Sequence, residues 1–168
     1  MHRTLARCTS KDRVARVKLW IKSKPEMSPE LVSKLKDAGI QPSAQRLAVA
    51  DYVLTTDAHP SADEVLSQVQ GHFPMLSRAT VYNTLNLFVE KGLLRQLVLA
   101  EGKTVFDPCL EPHHHFIDDE TGRIEDVPWD AVKVGDVKAL KGYEVNEYMV
   151  VMRGRKLGGP RVQKKKKS

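Results

Sequence analysis

The chain has 168 residues, 41% of them hydrophobic, and a formal net charge of +6. That is enough apolar content to bury the core of one domain or two small ones, and it excludes a largely disordered chain. No stretch approaches the roughly 18 uncharged apolar residues of a membrane span, and no apolar segment of secretory type follows the first methionine. A cytoplasmic protein without membrane association is expected. Two cysteines, Cys8 and Cys109, are too few for a disulfide scaffold or a four-cysteine zinc site. The positive charge points to nucleic acid, but it sits in the tails: residues 1–24 hold eight basic side chains against Asp12, and residues 153–168 hold eight against none. The body, 25–152, carries 11 basic and 20 acidic residues.

In chain order, residues 1–27 read as a basic, partly helical extension that ends near Lys24-Pro25, because a residue before proline avoids the helical region. A first helix opens at Ser28-Pro29, with Ser as cap and Pro in the first turn, and stops at Gly39. A second follows Pro42-Ser43 with Leu47, Ala50, Val53 and Leu54 as its apolar stripe. The third begins after Ser61, burying Val65, Leu66 and Val69 before Gly71. The fourth is capped by Ser77, runs to Lys91 and ends at Gly92. Its Val81, Leu85 and Phe88 stand at i, i+4 and i+7.

Beyond Gly92 the pattern becomes extended: Leu93 to Leu99, a turn at Glu101-Gly102-Lys103, then Thr104 to Phe106, which predicts a hairpin. Helices followed by a hairpin over 28–106 form the layout of a winged helix, although a helical bundle bearing a β-ribbon would read similarly. Residues 107–152 hold 4 basic and 11 acidic side chains and form a second small domain. It has a hairpin of Phe116-Ile117 and Arg123 to Val127 around Asp119-Glu120-Thr121-Gly122, a short helix within Trp129 to Leu140, and a strand from Glu144 to Met152. So few elements make a small core, which predicts dimerisation. Residues 153–168 form a basic tail expected to be disordered and to add salt-sensitive, non-specific affinity for polyanions. The fold class is therefore α+β, an N-terminal winged-helix domain followed by a small α/β dimerisation domain.

With Val81, Leu85 and Phe88 turned inward, the fourth helix leaves Arg78, Tyr82, Asn83 and Asn86 on its outer faces. Arg pairs with guanine, Asn with adenine, and an aromatic ring touches a thymine methyl. An ordinary solvated helix face could also hold these residues. A second cluster is His113-His114-His115. In a strand, residues two apart point the same way, so His113 and His115 converge while His114 faces opposite. A polar loop would explain the run as well, but Asp107 precedes it and the hairpin folds Asp126 back toward His115. His59 stands alone in the loop after the second helix, where a plain surface residue would also fit.

The run Ser77-Arg78-Ala79-Thr80-Val81-Tyr82-Asn83-Thr84-Leu85, with Gln45-Arg46 before it and Gly102-Lys103-Thr104-Val105-Phe106 after it, resembles the ferric uptake regulator family of bacterial metal-responsive repressors, over roughly residues 30–152. The Tyr82-Asn83 pair is similar to its peroxide-sensing branch. The resemblance implies DNA contacts from Arg46, Ser77, Arg78, Thr80, Tyr82 and Asn83 on an AT-rich palindromic operator in double-stranded DNA, bound by a homodimer. It implies a regulatory metal held by His59, Asp107, His113, His115 and Asp126, with His59 and His113 as the oxidation-sensitive pair. In that branch, bound Fe(II) reacts with hydrogen peroxide and a ligand histidine is oxidised, which releases DNA.

Three imidazoles and two carboxylates suit Fe(II) or Mn(II), and also Zn(II). His59 belongs to the helical half and the other four ligands to the acidic half, so one ion would join the two and set the angle between the reading heads. Where many members carry Cys-x-x-Cys after the His-x-His, this chain has Asp118-Asp119-Glu120-Thr121, so the usual four-cysteine structural zinc is not expected. Members lacking that pair include haem-responsive iron regulators with a His triplet, which makes an iron or haem sensor the alternative reading. A further alternative takes His113, His115 and Asp126 as the two-His, one-carboxylate centre of a non-haem iron oxygenase, although no barrel of strands is available to form its pocket. The leading expectation is a repressor, not an enzyme.

Overall fold

The computed structural model describes residues 28–99, 102–135 and 140–157; the expected N-terminal extension and most of the basic tail lie outside them. The chain divides into two compact units, Met1–Leu110 and Glu111–Ser168. Among the described residues no helix is long and apolar enough to cross a membrane.

The first unit contains α1 (Pro29–Asp37), α2 (Ala44–Val53), α3 (Ala62–Gln70) and α4 (Arg78–Glu90), followed by the antiparallel pair β1 (Arg95–Val98) and β2 (Thr104–Asp107). Each helix begins where a serine can bond the first turn: Ser28 accepts from Leu31 N, Ser43 from Arg46 N, Ser61 from Glu64 N and Ser77 from Thr80 N. These bonds satisfy amides that otherwise have no partner in a helix. At the far end of α4 the chain turns through Gly92 at φ +67°, a left-handed conformation that glycine takes at little cost. The apolar stripes meet in one core, in which Leu35, Val53, Val65, Val69, Val81, Leu85 and Phe88 are fully buried. This is the winged-helix arrangement expected from the pattern.

The start of α3 is the most elaborate cap. Glu64 reaches back to Ser61 N at 2.6 Å while Ser61 Oγ bonds Glu64 N at 3.3 Å, the reciprocal capping box. Burial by itself would raise the Glu64 carboxyl. The Ser61 amide and hydroxyl and the nearby Lys103 ammonium outweigh it and hold the group below the usual glutamate range. Ser61→Ala should cost about 1 kcal/mol of stability, read by thermal melting. A depressed folded pKa stabilises above the unfolded value and is lost on acidification. The advantage of the parent over Glu64→Gln should therefore shrink as pH falls through the folded pKa of Glu64.

In the second unit, β3 (His113–Asp118) lies between β4 (Ile124–Pro128), antiparallel to it, and β5 (Val151–Gly154), parallel to it. The β3–β4 turn is closed by the Asp118 carboxylate, which accepts from Glu120 N at 2.8 Å and Thr121 N at 3.4 Å. These amides draw its carboxyl below the ordinary value. Gly122 completes the turn at φ +70°. Ile117 and Ile124 are the buried apolar side chains among the described residues of this unit, so its core is thin, as its length predicts.

Two elements differ from expectation. The helix placed within Trp129 to Leu140 is a single 3-10 turn, Trp129–Ala131, and residues 136–139 lie outside the described set. Val132 is already extended at φ −126°, because β-branched Val132 and Val134 ahead of Gly135 disfavour helix propagation. The strand expected over Glu144 to Met152 starts only at Val151 and runs to Gly154. Its extent is set by tertiary pairing, since Val151–Gly154 are the residues in register with His115–Asp118.

Candidate metal centre and nucleic-acid interface

His59 lies in the loop between α2 and α3, and it is the tertiary fold that gives it a neighbour. Pro60 O accepts from Phe106 N at 2.9 Å, pinning this loop to β2 beside Asp107. His59 Nε2 thereby stands 3.7 Å from Asp107 Oδ1, with side chains 2% and 1% exposed. Asp107 Oδ1 also accepts from Cys109 N at 2.7 Å. Asp107 closes β2 and falls in the first unit with His59, rather than with the acidic half to which the charge pattern assigned it. A carboxylate this deeply buried is expensive unless compensated by a cation or by hydrogen bonds. The Cys109 side chain is buried.

In the second unit the alternation of β3 puts His113 and His115 on one face of the sheet and His114 on the other. His113 and His115 bring Nε2 to Nε2 at 2.9 Å, with ring centroids 4.4 Å apart. His114 instead stacks on Trp129 at 4.5 Å and accepts from Val150 N at Nδ1, 3.2 Å away. The register sets Asp126 opposite His115, and its Oδ1 lies 3.6 Å from His113 Nε2.

The tautomer of His113 follows from its other nitrogen. Nδ1 is 2.8 Å from the carbonyl oxygen of Glu111, which can only accept, so Nδ1 carries the proton and the neutral ring presents a lone pair at Nε2. That lone pair faces a carboxylate oxygen and a second imidazole nitrogen, a set of donor atoms that a cation would draw together. Ligand atoms about 2.1 Å from one ion stand roughly 3.0–3.4 Å apart, close to the 2.9 and 3.6 Å separations observed. The His113 Nδ1–H bond to a backbone carbonyl is also the kind of outer-shell contact that orients metal-ligating histidines. The donors present therefore fit a divalent ion of borderline softness.

Of the residues expected to contact DNA, all but Arg46 lie on α4 and its cap. Ser77 and Thr80 join hydroxyls at 2.8 Å, so both shape the helix start. Tyr82 is 37% exposed, and Asn83 is exposed beside it. Arg78 stacks its guanidinium over the Tyr82 ring at 5.6 Å and forms an ion pair with Asp63 of α3. Arg46 of α2 donates from Nη1 to Gln41 O at 2.8 Å. Asp63 was not legible from the sequence as part of this set, because it lies 15 residues before Arg78 and only helix packing brings the two together.

The model of the ferric uptake regulator family matches residues 37–153. The peroxide operon regulator of Bacillus subtilis (strain 168) is 32% identical over 127 residues, covering 74% of this chain and 88% of that protein. The peroxide-responsive repressor PerR of Staphylococcus aureus (strain Mu50 / ATCC 700699) is 34% identical over 97 residues, 58% of this chain and 66% of its own length. Among solved structures, the Vibrio cholerae ferric uptake regulator is similar with a TM-score of 0.62 at 24% identity, covering 74% of this chain and 98% of that one. The Campylobacter jejuni peroxide stress regulator is similar with a TM-score of 0.55 at 28% identity, covering 76% and 93%. These likenesses agree with the winged helix and α/β domain, and they displace the oxygenase reading of His113, His115 and Asp126. The chain belongs to the ferric uptake regulator family, and it is a metal-responsive transcriptional regulator and not an enzyme.

Proposed function

We propose that this chain is a dimeric repressor of the peroxide-sensing kind, which binds an AT-rich palindromic operator when its regulatory site is loaded with Fe(II) or Mn(II). The observation that carries the reading is the lone pair of His113 Nε2 facing His115 Nε2 and the Asp126 carboxylate. The Bacillus and Staphylococcus relatives named for peroxide response support the choice of signal. His59 and Asp107 offer two donors from the first unit, and His113, His115 and Asp126 offer three from the second. By the family resemblance these five are the regulatory ligands, and metal loading would raise operator affinity about 5–150-fold, a coupling of about 1–3 kcal/mol.

Fe(II) bound by these residues would supply the electrons that reduce hydrogen peroxide. By the family resemblance His59 and His113 are the rings that would take up the oxygen atom, and an oxidised imidazole is a poorer donor. Dimerisation is supported by the thin core of the second unit and by its exposed Trp129, Leu140, Tyr143, Met149 and Val151. The test exposes the Fe(II) and Mn(II) forms to low peroxide, following operator binding together with the mass of the histidine-bearing peptides. A gain of one oxygen at His59 or His113 and loss of DNA binding are expected with Fe(II) and not with Mn(II). No oxygen gained in either form would reject peroxide as the signal in favour of iron or haem.

A further inference from the structure

Arg78 occupies the first position of α4, where the positive end of the helix macrodipole disfavours a cation. Helix stability therefore does not explain an arginine there, and an exposed ion pair contributes little to the fold. What distinguishes this pair is its geometry. Asp63 Oδ1 lies 2.7 Å from Arg78 Nε, and Asp63 Oδ2 lies 2.9 Å from Nη2, so the carboxylate accepts two parallel bonds from one side of the guanidinium. The face of the same group rests on the Tyr82 ring. Edge and face are thus both fixed on a side chain that is 63% exposed.

Five N–H groups radiate from a guanidinium in its plane. Asp63 occupies the one on Nε and one on Nη2. The distal pair, one on Nη1 and one on Nη2, remains parallel and is the edge that fits two adjacent acceptors. In a major groove that pattern belongs to guanine, through O6 and N7. We infer that Asp63 is a positioning residue that holds Arg78 as a preset two-donor fork for one guanine in each operator half-site. The inference rests on the DNA-binding reading above. It adds a guanine-specific contact to an operator otherwise expected to be AT-rich, and the order Asp63–Arg78–base fixes which edge of the arginine is used. Without Asp63 the guanidinium keeps its charge and loses its orientation, so general attraction to phosphate survives while discrimination at that base falls.

The experiment selects duplexes from a randomised pool with the full chain loaded with Mn(II), then measures competition by the selected site with each base pair replaced in turn. For the parent, replacing one G·C pair per half-site should weaken binding about ten-fold or more. Asp63→Ala should reduce that penalty to about three-fold or less, with the other positions unchanged and the melting temperature close to the parent's, since Asp63 is 60% exposed. Asp63→Asn, which keeps one acceptor oxygen, should fall between the two, and Arg78→Lys should behave like Asp63→Ala because an ammonium cannot present the fork. An undiminished guanine penalty in Asp63→Ala overturns the inference. So does uniform tightening on all sequences with a salt slope steeper by about one phosphate, the mark of a carboxylate that merely competes with the DNA backbone. A parent that selects a site with no guanine dependent on Arg78 overturns it while leaving the regulator reading intact. A parent that selects no sequence at all defeats the regulator reading itself.

Discussion

His113→Ala is expected to lower Mn(II) affinity by at least about 100-fold and to abolish metal-dependent operator binding. Loss of an outer-shell partner alone commonly costs 10–100-fold, and His113 is the ring whose Nε2 meets both His115 and Asp126. Asp126→Ala should weaken the metal in the same direction. Its side chain is 34% exposed, so this second variant should fold normally and keep the result interpretable. Titration calorimetry with Mn(II) and a mobility-shift assay with and without metal read the two effects separately. If His113→Ala retains both metal affinity and metal-dependent DNA binding, the regulatory site does not lie on β3.

The second large effect is on stability. Phe88 is fully buried in the core of the first unit beside Leu85 and Val81, and Phe88→Ala should destabilise that unit by about 3–5 kcal/mol, from lost transfer energy and the remaining cavity. That is a large part of the stability of an ordinary small domain, so the denaturant midpoint of the winged helix should fall well below the parent's. Tyr82→Ala, on the exposed face of the same helix, provides the contrast. It should move the melt by no more than about 0.5 kcal/mol while removing the ring under Arg78 and with it operator affinity. Equal losses of stability from the two variants would mean that α4 does not divide into a packed face and a reading face.

Much of this protein is legible in local chemistry. The four serine caps, the apolar stripes at three- and four-residue spacing, and Gly92 mark the helices within a residue or two, because capping and amphipathicity act over a few positions. The alternation of a strand likewise predicts that His113 and His115 share a face and His114 does not, as their contacts show. The hairpin around Asp119 to Gly122 carries Asp126 back beside β3 for the same short-range reason.

Other features depend on contacts that the sequence does not encode locally. The strand expected from Glu144 is confined to Val151–Gly154 because a parallel pairing partner selects which residues are ladder-bonded. The pairing of His59 with Asp107, 48 positions apart in the sequence, depends on the Pro60–Phe106 hydrogen bond, and nothing around His59 announces it. The orientation of Arg78 depends on α3 presenting Asp63 to it. From the sequence alone, then, came the order of elements, the faces of helix and strand, and the donor types suited to a divalent ion. The tertiary structure decided which donors meet and which edge of Arg78 bonds Asp63, since hydrogen bonds and ion pairs across long sequence separations exist only once the core has brought their elements together.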